Sequence, residues 1–316
     1  MLTVRRLEDG AELWAGPKAI AQPMAVDDGR LFIASSDSIQ ALAASNGAEQ
    51  WQAQVGKITA PPLVRSGWVI VASVGRLTAL RASDGAQVWQ RDVGGVNQRS
   101  AIDGDRLYVP IADGRLLALE LPSGKTVWEQ TIGAAPTEPL AYGDRIYLGS
   151  DAKEFYCLTA RRGEVDWSRS VGARVLGRAA ADSARVYFAA MDNELRALDR
   201  ISGALVWHKP VAFRPTEGPV LLGPYVTLVG LTAELPGFDA ATGKPVGKLS
   251  LADPLATAPA FIVPGPAGAL AAVASLTGGL ARQWKLSLAA SGVTASRAVP
   301  IVPLTVLPGQ TVPVSR

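Results

Sequence analysis

A glycine followed four residues later by tryptophan recurs along this chain at near-equal intervals. The pairs are Gly10/Trp14, Gly47/Trp51, Gly85/Trp89, Gly124/Trp128, Gly163/Trp167 and Gly203/Trp207. A seventh turn, "TGKPVG", keeps Gly243 but has Gly247 in the tryptophan position. Successive glycines are 37, 38, 39, 39, 40 and 40 residues apart. Phase kept over such a distance means one structural unit used repeatedly, and it constrains the fold more than any single motif does.

Two further signals run in step with the first. A turn entering a β-rich run appears as "DDGRLFIA" (27–34), "RSGWVIVA" (65–72), "DGDRLYVP" (103–110), "YGDRIYLG" (142–149) and "DSARVYFA" (182–189). A second turn and a short apolar segment follow, as in "VGRLTALR" and "MDNELRALD". Each repeat therefore reads as four short strands joined by tight turns, with no sustained helical periodicity. Four antiparallel strands in about 40 residues, repeated, is the signature of a β-propeller.

The expectation is an all-β, seven-bladed propeller occupying residues 1–290. Residues 4–16 carry only a last turn and an outer strand, and 252–289 carry three strands. Open rings leave exposed edges, so the N-terminal strand is expected to close the seventh blade. Trp284, out of phase, is assigned to a third strand. Residues 291–316, with Pro300, Pro303, Pro308 and Pro313, are read as an extended tail. Glycine suits a turn that needs positive φ. Tryptophan offers a large apolar surface and one N–H, so Trp14, Trp51, Trp89, Trp128, Trp167 and Trp207 are expected to dock each blade on its neighbour rather than fill their own.

Composition removes several function classes. The 316 residues carry a formal charge of +3 with no Lys/Arg block, so nucleic-acid binding is not expected. One cysteine, Cys157, and one histidine, His208, rule out a disulfide framework or a Cys/His metal site. The apolar runs 269–276 and 301–308 are far shorter than the roughly 20 residues of a spanning helix. No apolar segment follows Arg5 and Arg6 as a secretory signal would require.

Catalytic signatures are also missing. "SDAK" (150–153) has a Ser-x-x-Lys spacing but falls in a turn between strands. His208 follows Trp207 on an outer strand, and Cys157 occupies a small-residue position of the repeat. Function is therefore sought in the segments that join one blade's outer strand to the next blade's inner strand, which gather at one end of a propeller's channel. These bring Lys57, Asn97, Arg99, Glu138, Arg174, Arg178, Arg214 and Glu217 to a mildly positive funnel, suited to an anionic small ligand or an acidic protein segment.

The stretch "ALDRISGALVW" (197–207) resembles the tryptophan-docking repeat of PQQ-type propellers, Ala-x-Asp-x-x-Thr-Gly-x-x-x-Trp. Ala197, Asp199, Ser202, Gly203 and Trp207 take those places. The resemblance covers residues 4 to about 288 and includes both quinoprotein dehydrogenases and BamB-like outer-membrane assembly lipoproteins. It implies a non-enzymatic scaffold of the BamB-like branch, located in the periplasm or envelope, binding a protein through its loops and monomeric outside its complex. Under the alternative, a dehydrogenase, it implies PQQ with calcium. A vicinal disulfide of the kind the dehydrogenases carry is impossible with one cysteine. Both named groups are eight-bladed, whereas seven turns are counted here.

Overall fold

The computed structural model describes residues 2–5, 11–250, 260–262, 270–275, 281–289 and 292–301. Every element among them is a β-strand. The chain opens with a two-stranded sheet of β1 (Leu2–Arg5) and β2 (Glu12–Gly16). Four-stranded sheets then follow in sequence order. The first is β3 (Ala25–Asp27), β4 (Arg30–Ala34), β5 (Ser38–Ala43) and β6 (Glu49–Gln54). The second is β7 (Leu63–Arg65), β8 (Trp68–Ser73), β9 (Arg76–Arg81) and β10 (Gln87–Asp92). The third is β11 (Ala101–Asp103), β12 (Arg106–Ile111), β13 (Arg115–Glu120) and β14 (Thr126–Thr131). The fourth is β15 (Leu140–Tyr142), β16 (Arg145–Gly149), β17 (Glu154–Thr159) and β18 (Val165–Ser170). The fifth is β19 (Val175–Ala181), β20 (Arg185–Ala190), β21 (Glu194–Asp199) and β22 (Leu205–Pro210). The sixth is β23 (Val220–Leu222), β24 (Tyr225–Thr227), β25 (Glu234–Asp239) and β26 (Pro245–Ser250). The last is β27 (Ala260–Ile262), β28 (Leu270–Ser275), β29 (Ala281–Ala289) and β30 (Gly292–Ile301).

Within each sheet, strands pair antiparallel with their sequence neighbours, as tight turns dictate. The first strand of each of the first four sheets is only three residues long. First strands lie beside one another between sheets, β3 with β7, β11 with β15, β15 with β19 and β19 with β23, as the innermost strands along a propeller axis do. Sheets pack face to face through apolar layers. One layer joins Phe32, Ala34, Ile39 and Ala41 of the first sheet to Val69, Val71 and Leu80 of the second.

Two expectations about the chain ends are corrected. Residues 4–16 do not complete the last sheet: β2 pairs with β1. The last sheet takes its fourth strand from β30, paired with β29 along residues 281–289, so residues 292–301 belong to the repeat rather than to a tail. The sequence signal was faint there because β30 carries no tryptophan: Ala298 stands opposite Trp284 at the bulge, where the earlier outer strands place a tryptophan. The rest of the tail, 302–316, lies outside the described residues. Trp284 falls on β29, the third strand of its sheet.

The glycine–tryptophan spacing has a cross-sheet explanation. Each tryptophan sits beside a bulge in its outer strand, as between Gln87 and Trp89, and a bulge turns a side chain away from the regular ladder. The indole then reaches the following sheet. Trp14 Nε1 donates to Ala44 O at 2.8 Å, Trp51 to Ala82 O at 2.9 Å and Trp89 to Leu121 O at 2.7 Å. Trp128 donates to Ala160 O at 3.0 Å and Trp207 to Ala240 O at 3.1 Å.

Each ring also lies flat on the turn glycine of the next sheet. A Cβ on Gly85 would come within 2.5 Å of the Trp51 ring, and one on Gly163 within 2.4 Å of Trp128. These glycines have φ near +70°, so both backbone conformation and the neighbour's ring require them. Inside its own sheet each tryptophan from Trp51 to Trp207 faces a small residue, as in Ala41 opposite Trp51, Cys157 opposite Trp167 and Ala197 opposite Trp207, while Trp14 faces Val4. In the sixth sheet both members of this pair are glycine, Gly237 opposite Gly247.

Trp167 departs from the pattern. Its Nε1 is buried without an acceptor. The equivalent carbonyl, Arg200 O, instead accepts from Tyr147 Oη at 3.1 Å.

Candidate functional site

The axis is lined where each chain segment enters an innermost strand. Arg99, Glu138 and Arg178 hold matching positions two residues ahead of Ala101, Leu140 and Ala180, which pair with Tyr108, Tyr147 and Tyr187. Three adjacent sheets therefore present plus, minus and plus at one level, and Glu217 follows from the next. Two glycines allow this approach. A Cβ on Gly218 would stand 1.8 Å from Arg178 O, and one on Gly177 would stand 2.5 Å from Gly218 N. Only bare backbone lets the segment carrying Glu217 pass so close to β19.

Arg99 Nη1 lies 3.9 Å from Glu138 Oε1, with the two side chains 11% and 19% exposed. Burial pushes the Glu138 carboxyl above the usual carboxylate range, and the charges of Arg99 and Arg178 only partly offset it. Burial also raises Glu217, helped by the neighbouring Glu138 and opposed by Arg99. The Arg178 guanidinium is pulled down by burial and supported by Glu138. Its Nε is buried without an acceptor. The cluster thus holds two carboxyls whose ionisation is costly between cations that are themselves poorly solvated.

The eight residues singled out from sequence separate into two groups. Arg99, Glu138, Arg178 and Glu217 form this cluster. Lys57 and Asn97 are exposed on entry segments. Arg174 pairs with Asp151 at 3.2 Å, both about half exposed. Arg214 points to Met191, with Nη2 3.9 Å from Sδ. Sequence reasoning missed Arg65, which lies on the innermost strand β7, donates Nη1 to Ile102 O at 2.9 Å and lowers Arg178 further by its charge. The signal for it was its place next to the turn, on a strand that faces the axis.

Other candidates have structural roles. Ser150 and Lys153 form a turn, with Lys153 N donating to Ser150 O at 3.2 Å. His208 lies on an exposed outer strand, Nδ1 3.2 Å from Glu194 Oε2. Cys157 is buried, and burial pushes its thiol up to about 12. Among the described residues no three Asp, Glu, His or Cys side chains come together as a metal site would need.

A family profile described as outer membrane protein assembly factor BamB matches residues 2–142 and 137–314. The chain belongs to the BamB family. BamB from Moraxella catarrhalis superposes with a TM-score of 0.70 at 19% identity, over 88% of this chain and 84% of that one. A computationally designed protein gives 0.72 at 12% identity, over 95% and 90%. A quinohemoprotein alcohol dehydrogenase from Pseudomonas putida gives 0.69 at 13% identity, over 85% of this BamB-family chain and 66% of its own. No curated protein sequence matches. At these identities the structural neighbours establish the fold, which enzymes and a BamB share.

Proposed function

We propose that this chain is a non-catalytic β-propeller scaffold that presents its axial loop end to a protein partner during outer-membrane protein assembly. The observation that carries this reading is the division of charge at that end. In the channel, Arg99, Arg178, Glu138 and Glu217 are set against one another, while Lys57, Asn97, Arg174 and Arg214 stand exposed around it. A rim of this kind suits an acidic segment of a partner, which it would steer by long-range attraction. The chain acts in the envelope and is monomeric outside its complex.

A second reading, a quinone-binding or PQQ-dependent propeller, draws on the dehydrogenase neighbour. It lacks support from the channel residues.

Affinity capture from envelope extracts discriminates between them. The intact chain is expected to retain a specific envelope protein. The triple variant Lys57→Ala, Arg174→Ala, Arg214→Ala should associate with it about tenfold more slowly, because rim charges act mainly on association rate. The variant's thermal midpoint should be unchanged. Capture of no partner, together with a saturable PQQ-plus-calcium shift lost on Arg174→Ala/Arg214→Ala, would overturn the scaffold reading in favour of the second.

A further inference from the structure

The charged groups on the axis occupy one arc of the channel wall. At the level of Arg99, Glu138 and Arg178, the first two sheets place Pro23 and Pro61, two residues ahead of Ala25 and Leu63, which pair with Phe32 and Ile70. Those two positions carry no charge. The arc is built instead by the third to sixth sheets, through Arg99, Glu138, Arg178 and Glu217. Arg65 on β7 adds a third cation, whose charge reaches Arg178.

These groups act on one another without close contact. Arg99 Nη1 and Glu138 Oε1 are 3.9 Å apart, beyond the roughly 2.7–3.2 Å of an N–H···O hydrogen bond. Among the described residues, the Arg178 and Glu217 side chains form no hydrogen bond or ion pair, and Arg178 Nε is buried without an acceptor. Both segments are nevertheless fixed, by the backbone approach at Gly177 and Gly218. Buried polar groups are nearly always hydrogen-bonded, so charged side chains held this firmly and paired this loosely call for an outside partner.

The sign of that partner follows from the count. Three guanidiniums stand with two carboxyls, and burial opposes ionisation of both carboxyls. The arc therefore carries between +1, with both ionised, and +3, with both protonated.

We propose that this arc is a binding site for a small tetrahedral oxyanion of the phosphate or sulfate class, held by Arg99 and Arg178 with Glu138 and Glu217 beside it. Guanidinium groups present paired N–H donors that match such oxygens. A tetrahedral anion accepts in several directions, which suits donors arriving from consecutive sheets around a channel. With Arg99 11% and Glu138 19% exposed, a small solute can reach them. The site is separate from the exposed rim of Lys57, Arg174 and Arg214, and it does not depend on a protein partner.

The carboxyls make the site sensitive to pH. Glu138 lies in the field of Arg99, Arg178 and Glu217, and Glu217 in that of Glu138 and Arg99. A protonated carboxyl offers the anion an O–H donor, whereas an ionised one repels it. Anion and proton should therefore each favour binding of the other.

Sulfate is the probe, because its own charge is constant across neutral pH. Calorimetric titration of the full-length protein, at constant ionic strength set with chloride, should show one saturable site. Affinity should fall about tenfold from about pH 5.5 to about pH 8. Glu138→Gln/Glu217→Gln should bind at the higher pH as tightly as wild type does at the lower, with the pH dependence lost. Arg178→Gln should bind at least about tenfold more weakly at both. Arg99→Lys keeps the charge but loses the fork, and should bind several-fold more weakly with an unchanged thermal midpoint; it carries the test should Arg178→Gln fold poorly. Arg174→Ala/Arg214→Ala should bind as wild type does. Heat that does not saturate, or affinity unaltered in the channel arginine variants, would overturn the assignment. An equal loss in the rim variant would place the anion on the exposed loops and overturn it too.

Discussion

Trp51→Ala should destabilise the protein by about 3–5 kcal/mol, the range for truncating a buried aromatic side chain. Trp51 is 8% exposed, packs on the Gly85 turn, contacts the Phe32 ring with centroids 5.8 Å apart, and donates to Ala82 O. Removal opens a cavity between two sheets and strands a carbonyl. Urea unfolding measures the loss directly.

Gly85→Ala adds a methyl at φ +72° within 2.5 Å of the same ring. In wild type it should carry both backbone strain and a clash. With Trp51 already alanine, only the strain of roughly 1 kcal/mol should remain. A double-mutant cycle should therefore give a coupling of about 1–3 kcal/mol. Additivity within about 0.5 kcal/mol would mean that the ring and the glycine do not act as one device. Trp167→Phe provides a contrast: its N–H has no acceptor, so the change should cost about 1 kcal/mol less than Trp51→Phe, whose N–H does.

The fold was legible because that device repeats. Ala197, Gly203 and Trp207 have a fixed spacing because the alanine makes room for the ring within one sheet, while the glycine makes room for the ring of the sheet before, Trp167. Spacing revealed the pattern but not the direction of the contact, since glycine and tryptophan four residues apart touch different partners. The C-terminal end was misread where the mark is lost, on β30, whereas the turn at Gly243 could still be read although Gly247 replaces its tryptophan. There, strand pairing continues without the aromatic signal, β29 with β30 and β25 with β26.

The site was half legible. Entry segments could be placed from the repeat, which brought Arg99, Glu138, Arg178 and Glu217 onto one list. Nothing in the sequence separated them from Arg174 and Arg214. That distinction depends on the close backbone approach at Gly177 and Gly218.

In the channel cluster, Glu138 should oppose the usual expectation for an acid between two arginines. Were attraction dominant, Glu138→Gln would destabilise at neutral pH. Burial dominates instead and raises the carboxyl's folded-state pKa, so the folded protein holds this proton more tightly than the unfolded chain. Between the ordinary carboxylate value of about 4.3 and the raised value, the folded state carries more protons, and stability falls as pH rises. The same sign applies to Glu217.

Stability measured by urea midpoint from pH 4.5 upward should therefore decline in wild type. It should be flatter, and higher at pH 7–8, in Glu138→Gln/Glu217→Gln, which fixes both groups in the uncharged form. Below about pH 4 a different set takes over. The Arg115 hydrogen bond to Asp113, and the Ser202 and Thr242 bonds to Asp199 and Asp239, hold those carboxyls below their usual range. Their contribution is lost as acid protonates them, in wild type and variant alike.

Glu138→Lys tests the converse. A third cation between Arg99 and Arg178, with Glu217 alone to balance them, should cost at least about 3–5 kcal/mol, as uncompensated buried charge does. A Glu138→Gln/Glu217→Gln protein less stable than wild type at pH 7–8 would show that the arginines, not burial, govern these carboxyls.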